Sequence, residues 1–281
     1  MNIRMGEAKR KLNQREKFLL EHPLCVYCGE DAVTTDHFPP RCLFVSRQWP
    51  ESYEFACCDD CNQKGRGYEQ AFAVLARIRL YGSDKEPALS EWGKLLRGLR
   101  NNQPDLLAEW FSMSRNEVRN KLRETFGVYG DDMRRDGWGS IYLGPLTQTI
   151  AFQFLVKLSK ALYYLHNKII FDGLLIIKHI DLIGQNNTPE FLDSILDIAP
   201  LEATPSRGKL SLADQFHYRF NHNAEHGAMY AVVQFNEQLI FQVIALRHDM
   251  ATRLEKSLKD AGIDIPDEAR FECRLNSSPH R

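Results

Sequence analysis

The sequence predicts an α+β protein in which a small zinc-stapled module, residues 1–82, precedes a larger mixed α+β domain, residues 83–281. Three observations lead to this prediction. Two Cys-x2-Cys pairs lie near the N-terminus, and apolar patterns of helical and of strand type are mixed through the rest of the chain. A length of 281 residues with 43% hydrophobic content also exceeds the usual size of one domain.

The first expected element is a short amphipathic helix. Ala8, Leu12 and Leu19 recur near helical spacing across residues 5–20, and His22-Pro23 should end the helix. The segment is basic, because residues 4–17 contain six cationic side chains and only two glutamates. The cationic residues are Arg4, Lys9, Arg10, Lys11, Arg15 and Lys17. Because the net charge of the whole chain is −1, attraction to nucleic acid has to come from local clusters such as this one.

The remaining elements are predicted from apolar spacing and turn residues. The first module should contain a strand at 52–56 and a helix at 68–80. In the larger domain we expect helices at 89–100, 104–112, 114–126, 147–166, 188–198 and 249–261, and strands at 140–144, 169–180, 214–222, 228–235 and 239–246. The last two strands flank Asn236-Glu237-Gln238, which predicts a buried hairpin.

Composition favours a soluble, cytoplasmic protein. No apolar run approaches the roughly 18 residues that span a bilayer. The N-terminal segment is charged where a signal peptide would be apolar. Seven cysteines, four of them in two tight pairs, fit thiolates that bind metal in a reducing compartment better than they fit a disulfide framework.

The two Cys-x2-Cys pairs are the candidate ligands of a zinc ion: Cys25, Cys28, Cys58 and Cys61. Soft thiolates suit zinc, and four of them fill its tetrahedral shell, so this zinc is expected to be structural. One alternative is that the cysteines are merely buried. Another is that Cys57 replaces Cys58, although this would break the two-residue spacing.

Asp36 and His37 stand side by side in the loop between the cysteine pairs. In an extended segment their side chains would point to opposite faces, so that one can bind a metal while the other faces a water molecule. Asn62 follows the last cysteine and offers a neutral oxygen ligand. A carboxylate and an amide oxygen are hard ligands that suit Mg²⁺ or Mn²⁺.

Three segments together, CVYCG, TTDHFPP and CCDDCNQKG, resemble the HNH endonuclease superfamily and its ββα-metal motif. They resemble in particular the zinc-containing four-cysteine branch, and the Asp-His pair with the Asn after the last cysteine is similar to phage nucleases of the endonuclease VII type. The resemblance covers about residues 20–80. It implies a small ββα-metal fold with His37 as the general base that activates water. Asp36 and Asn62 would hold a divalent ion, with nucleic acid, DNA more than RNA, as the substrate.

One position departs from the family pattern. The middle Asn of the motif is absent, and Ser52, Tyr53 or Glu54 stands in its place. Glu69, seven residues after Asn62, would lie on the same helix face and could touch the metal or the residues that brace it. A solvated helix residue is the alternative for Glu69.

Two further clusters are weaker candidates. Arg115, Arg119 and Arg123 recur every four residues and could follow phosphates, although an ordinary solvated helix face is favoured. The group formed by His217, His222, Glu225 and His226 could bind a second metal, although a polar hairpin rim is favoured.

These features together predict a metal-dependent endonuclease, with residues 83–281 recognising the substrate, a protein partner or a regulatory signal. That domain could also form a homo-oligomer. One rival is a zinc-stabilised nucleic-acid-binding module without catalysis. A second rival is a protein-interaction scaffold, which would have no affinity for DNA.

Overall fold

A computed structural model of the protein describes residues 7–78, 88–135, 140–180, 189–236, 239–260, 262 and 270–273. The fold is mixed α+β. Its helices are α1 (Glu7–Glu21), α2 (Asp59–Ala76), α3 (Ala88–Asn102), α4 (Pro104–Trp110), α5 (Arg115–Phe126), α6 (Gly130–Arg135), α7 (Pro145–Asn167), α8 (Pro189–Ile198) and α9 (His248–Asp260). Within the described ranges, none of them has the length and apolar character needed to cross a membrane.

In the described residues, the strands form one large sheet and two short hairpins. They are β1 (Thr34–His37), β2 (Glu54–Cys57), β3 (Gly173–Ile180), β4 (Leu201–Ala203), β5 (Ser206–Arg207), β6 (Leu210–Ser211), β7 (Phe216–Asn223), β8 (Ala228–Phe235), β9 (Leu239–Arg247) and β10 (Arg270–Cys273). The large sheet is antiparallel with the order β10-β3-β9-β8-β7-β4. The predicted pairing of the last two long strands is confirmed, since β8 and β9 pair from Ala228 with Leu246 to Phe235 with Leu239.

The sheet is covered on both faces because its central strands alternate apolar side chains. Leu175 and Val243 belong to the large core that contains α7. Leu174 and Leu246, which are partners across β3 and β9, belong to a separate cluster with Ala251 of α9. Since successive residues of a strand point to opposite faces, α7 and α9 lie on opposite sides of the sheet.

The N-terminal part contains a strand hairpin followed by a helix. β1 and β2 pair antiparallel, with Asp36 opposite Phe55 and His37 opposite Glu54. α2 follows β2 directly, so the order is strand, strand, helix. The helix starts at Asp59 rather than at Tyr68 as predicted, because Cys58 caps it and two aspartates occupy its first turn.

α7 joins the N-terminal part to the sheet. Its Phe154 stacks on Phe72 of α2 with ring centroids 3.8 Å apart, and both rings contact Phe235 of β8 edge to face. Side chains from both sides of residue 82 therefore contribute to one buried core. The division at residue 82, which lies outside the described residues, stays a prediction about domain organisation.

The strand predicted at 140–144 is wrong. This segment has irregular backbone, and the Tyr142 amide donates to the Trp110 carbonyl at the end of α4. Gly144 then caps α7, and the Glu109 carboxylate accepts from the Leu146 and Thr147 amides of its first turn. Ile141 packs against the helices, whereas Tyr142 and Leu143 are exposed, and the segment has no strand partner among the described residues. The short elements α6, β4, β5, β6 and β10 were not predicted.

Candidate metal centre and active site

Four cysteines converge at the base of the hairpin. Their sulfur atoms lie within 4.8 Å of one another in the set Cys25, Cys28, Cys58 and Cys61. The Cys28 and Cys58 sulfurs are 3.6 Å apart. A tetrahedron with zinc–sulfur bonds of about 2.3 Å has sulfur–sulfur edges of about 3.8 Å, so this cluster could hold a zinc ion.

Backbone hydrogen bonds position the first cysteine pair. The Gly29 amide closes the turn onto the Cys25 carbonyl, and Gly29 adopts a φ of +82°, which a residue without Cβ tolerates. The Val26 amide donates to the Ala56 carbonyl of β2. Lys160 of α7 donates to the Tyr27 carbonyl. The turn is therefore held by both the hairpin and α7.

The second cysteine pair begins α2. Cys58 is the N-cap, and its sulfur accepts from the Cys61 amide at 3.4 Å. Cys57 is buried, donates its thiol to the Cys58 carbonyl, and is not a member of the four-sulfur group. Hydrogen bonding with Cys25 raises the pKa of the Cys28 thiol to about 12. A zinc ion bound here would take the four sulfurs as thiolates, since ligation deprotonates cysteine.

Asp36 lies on the buried face of β1, with 8% of its surface exposed. Its Oδ2 accepts a hydrogen bond from the Tyr27 hydroxyl at 3.0 Å. The same oxygen lies 2.7 Å from the Nζ of Lys157 on α7. The carboxylate is therefore held by one neutral and one charged donor.

Lys157 bridges two carboxylates. Its Nζ lies 2.6 Å from Glu69 Oε1 on α2 as well as against Asp36. Burial by itself would lower the pKa of Lys157, but the charges of Asp36 and Glu69 outweigh burial and raise this pKa, so the ammonium stays charged. Burial raises the pKa of Glu69. Glu69 is therefore part of a buried ion cluster, and the alternative of a solvated helix residue is wrong.

His37 lies on the opposite face of β1. Its ring stacks on Trp49 with centroids 5.0 Å apart, and its Nε2 accepts from the Arg41 guanidinium, because arginine carries donors alone. The Nδ1 atom is buried without a hydrogen-bond partner among the described residues. Burial, followed by the charge of Arg41, lowers the pKa of His37. The ring is therefore neutral at neutral pH.

Asn62 lies in the first turn of α2, half-buried, and its backbone amide donates to the Cys58 carbonyl at 3.1 Å. In the part of the chain that the structure describes, no hydrogen bond joins its side chain to Asp36. Within the same ranges the four-cysteine set is the one cluster of His, Cys, Asp and Glu that could hold a metal. Among these four residue types, no second cluster of this kind surrounds Asp36 in the described residues.

The weaker candidates have ordinary surroundings. Arg119 and Arg123 pair with Asp131, which agrees with a solvated helix face. His222 contacts Asn167, and the histidine group forms no metal cluster in the described ranges. Of the basic N-terminal segment, Arg4 and the side chains at positions 9–11 lie outside the described residues.

Lys157, Arg41 and Trp49 were missed by the sequence reasoning. Lys157 carried a usable signal, since it stands in the apolar segment FQFLVKLSKALYYL, and a lysine on a buried helix face requires a carboxylate partner. Arg41 and Trp49 lie in irregular backbone after β1, where no periodicity marks which side chains meet.

Comparison of the chain with protein-family models, with curated proteins and with solved structures found no significant match. The residues and distances given above are therefore the basis on which a function can be proposed.

Proposed function

We propose that the chain is a zinc-stabilised endonuclease of the HNH type that hydrolyses phosphodiester bonds in nucleic acid, DNA more than RNA. The observation that carries the proposal is the unit of β1, β2 and α2, which four converging cysteines close and which carries His37 beside Arg41 at the end of β1. Phosphodiester hydrolysis needs a proton acceptor close to cationic donors, and these two side chains supply both.

The cysteine cluster binds zinc in this proposal. Four thiolates leave no position for water on the ion, so the zinc has a structural role. It ties the turn before β1 to the start of α2. Loss of the ion would loosen the attachment of the turn before β1 to the start of α2.

His37 acts as the general base in this proposal. Its ring is neutral near pH 7, but its Nε2 is engaged by Arg41. A substrate phosphate offers the guanidinium stronger, charged acceptors, so its binding would release Nε2 to take a proton from water. The water oxygen then bonds to phosphorus as the bond from phosphorus to the 3′ oxygen breaks, and that oxygen leaves with a proton from solvent.

The resemblance also implies Mg²⁺ or Mn²⁺ at Asp36 and Asn62. When bound, such an ion supplies Lewis acidity that stabilises negative charge on the phosphate. The described residues do not fit this ion as they stand, because Asp36 already accepts from Tyr27 and pairs with Lys157. A divalent ion would have to displace the ammonium from the carboxylate.

The pairing of Asp36 with Lys157 favours a second candidate function, a zinc-stabilised nucleic-acid-binding module without catalysis. In that case His37 and Arg41 would bind phosphate and no water would be activated. The two candidates share the zinc and the basic surface, and they differ in whether phosphodiester bonds are cut.

The test is incubation of the purified, zinc-containing protein with supercoiled plasmid, single-stranded DNA and RNA, with Mg²⁺, with Mn²⁺ and without added divalent ion. His226→Ala, a change at an exposed turn, is the matched control for His37→Ala and for contaminating nucleases. We expect cleavage by the wild type and the control, and a loss of at least about 100-fold in His37→Ala. Binding without cleavage would replace the nuclease by the binding module, and absence of both would favour a protein-interaction scaffold.

A further inference from the structure

A cationic surface surrounds Trp49 next to His37. The guanidinium carbon of Arg41 lies 3.7 Å from the centroid of the Trp49 ring, and that of Arg207 lies 3.8 Å from it. These two carbons are therefore at most 7.5 Å apart, the two distances combined. Arg207 comes from β5, so residues from both predicted domains meet on one indole.

The positive charge of this surface is not neutralised by direct ion pairs. In the described parts of the chain, neither Arg41 nor Arg207 lies within salt-bridge distance of a carboxylate. Burial and then the charges of Arg47 and Arg207 lower the pKa of Arg41, while Glu54 acts in the opposite direction. Like charges have thus been brought together, which costs free energy in the absence of an anion.

The arginines have donors to spare. Stacking on an indole uses the flat face of a guanidinium and leaves its in-plane N–H groups free for an oxygen acceptor. Arg207 gives one of these groups to the Trp49 carbonyl at 3.3 Å. The Nε of Arg41 is buried without a hydrogen-bond partner among the described residues. The stacked arginines are therefore held in place with unused donors.

The segment that carries Trp49 has a strained backbone. Ser46, Arg47 and Ser52 all have positive φ, at 53°, 54° and 67°, which is uncommon for residues other than glycine. The segment is fixed to the β5–β6 hairpin, since the Glu51 amide donates to the Ser206 carbonyl. Such strain persists where surrounding contacts impose it, and it is concentrated in binding sites.

We propose that Arg41, Arg47 and Arg207, arranged around Trp49, bind the phosphates of a nucleic-acid strand beside His37. The inference rests on the proposed function for its choice of ligand, and it adds that β5 of the larger domain contributes to the substrate-binding surface. Arg41 and Arg207 bind phosphate through guanidinium N–H groups, and Arg47, which is exposed, extends the surface along the backbone. The two guanidinium groups cover the indole of Trp49, so the ring positions the arginines and does not stack with bases.

The experiment measures binding of a fluorescent oligonucleotide, duplex and single-stranded, by anisotropy over a range of salt, without added divalent ion. Arg207→Gln removes one proposed phosphate contact, and Arg253→Gln removes the same charge from an exposed position of α9. We expect about tenfold weaker binding in Arg207→Gln and a salt slope reduced by about one unit. Arg253→Gln should bind within about twofold of wild type. Circular dichroism checks that each variant is folded.

Two results would overturn the inference. One is an unchanged affinity and salt slope in both Arg207→Gln and Arg41→Gln. The other is displacement of the oligonucleotide by inorganic phosphate at equal phosphate concentration, which would identify a site for small anions. A protein that binds through these arginines but does not cut leaves the inference standing and removes the nuclease. Cleavage and binding that are unaffected in both Arg207→Gln and Arg41→Gln would remove the inference and leave the nuclease standing.

Discussion

Lys157→Met tests whether the buried ion cluster stabilises the fold. Methionine matches the stem of lysine up to Cε and removes the ammonium that lies 2.7 Å from Asp36 and 2.6 Å from Glu69. All three side chains are shielded from solvent, with exposures of 5%, 9% and 13% for Lys157, Asp36 and Glu69. The substitution leaves two carboxylates without a cation inside the core.

The expected loss follows from that burial. Removing one partner of a buried ion pair costs about 3–5 kcal/mol, because the remaining charge is desolvated and unpaired. Two carboxylates remain here, but one can take up a proton, and the pKa of Glu69 is already raised by burial. We therefore expect a loss of about 3–5 kcal/mol at pH 7, close to the whole stability of a small domain.

The loss should depend on pH in a defined direction. In the wild type the pKa of Lys157 is raised above its ordinary 10.5, so its contribution is fully present at pH 7 and is lost at high pH as the ammonium titrates. In Lys157→Met the folded pKa of Glu69 rises further above its ordinary 4.5. A raised carboxyl pKa means that stability falls as pH rises, so the defect should be smaller at pH 5 than at pH 7.

The assay is urea unfolding followed by circular dichroism at pH 5 and pH 7, with equal zinc content in all samples. Lys160→Met is the matched control, since Lys160 lies one turn further along α7 and donates to a carbonyl at 2.8 Å; its loss should cost about 0.5–1.5 kcal/mol. Adding Glu69→Gln to Lys157→Met should recover part of the loss. A Lys157→Met protein within about 0.5 kcal/mol of wild type at pH 7, or one without recovery, would refute the argument.

Three further predictions concern zinc, the divalent ion and pH. The purified protein should contain about one zinc per chain by elemental analysis, and Cys61→Ser should lower zinc content and stability together; zinc-free folded wild type would contradict this. If Asp36 and Asn62 hold the divalent ion, raising the concentration of Mg²⁺ or Mn²⁺ should restore cleavage more in Asn62→Ala, which loses a neutral ligand, than in Asp36→Ala, which loses a charged one. Wild-type cleavage rates in both variants would assign the two residues structural roles. Burial, followed by the charges of His222 and Lys168, lowers the pKa of His166 to about 4. The free energy of unfolding should therefore fall by about 1–2 kcal/mol as the pH is lowered from 6.5 to 4. If His166→Gln shows the same pH dependence as the wild type, the effect has another origin.

Local spacing determined the parts of the fold that short segments can form by themselves. The β8–β9 hairpin was predictable because two apolar strands flank a polar turn, and adjacent strands pair with little loss of chain entropy. The cysteine set was predictable for a related reason, since a two-residue spacing brings two sulfur atoms to one side of a tight turn. The alternation of Asp36 and His37 across β1 follows from strand geometry.

The ends of helices, and segments that lack a strand partner, were less predictable from the sequence. α2 begins at Asp59, ahead of the apolar stretch that predicted it, because its first turn is fixed by the Cys58 cap and by contacts to the cysteine cluster. The stretch 140–144 has the composition of a strand, but it lies against α4 and makes no ladder. Apolar composition favours a strand, but a strand forms only where a neighbouring strand supplies partners for its backbone.

The sequence by itself determined the residue types of the site: four thiolates, an adjacent carboxylate and imidazole, and an amide. Tertiary structure alone decided their partners. Lys157 reaches Asp36 from a helix far along the chain, and Arg207 reaches Trp49 from β5. Such contacts depend on the packing of α7 and the β5–β6 hairpin against the first module, and no local period encodes that packing. The charge that faces each predicted site residue, and so its chemistry, is therefore a property of the folded chain.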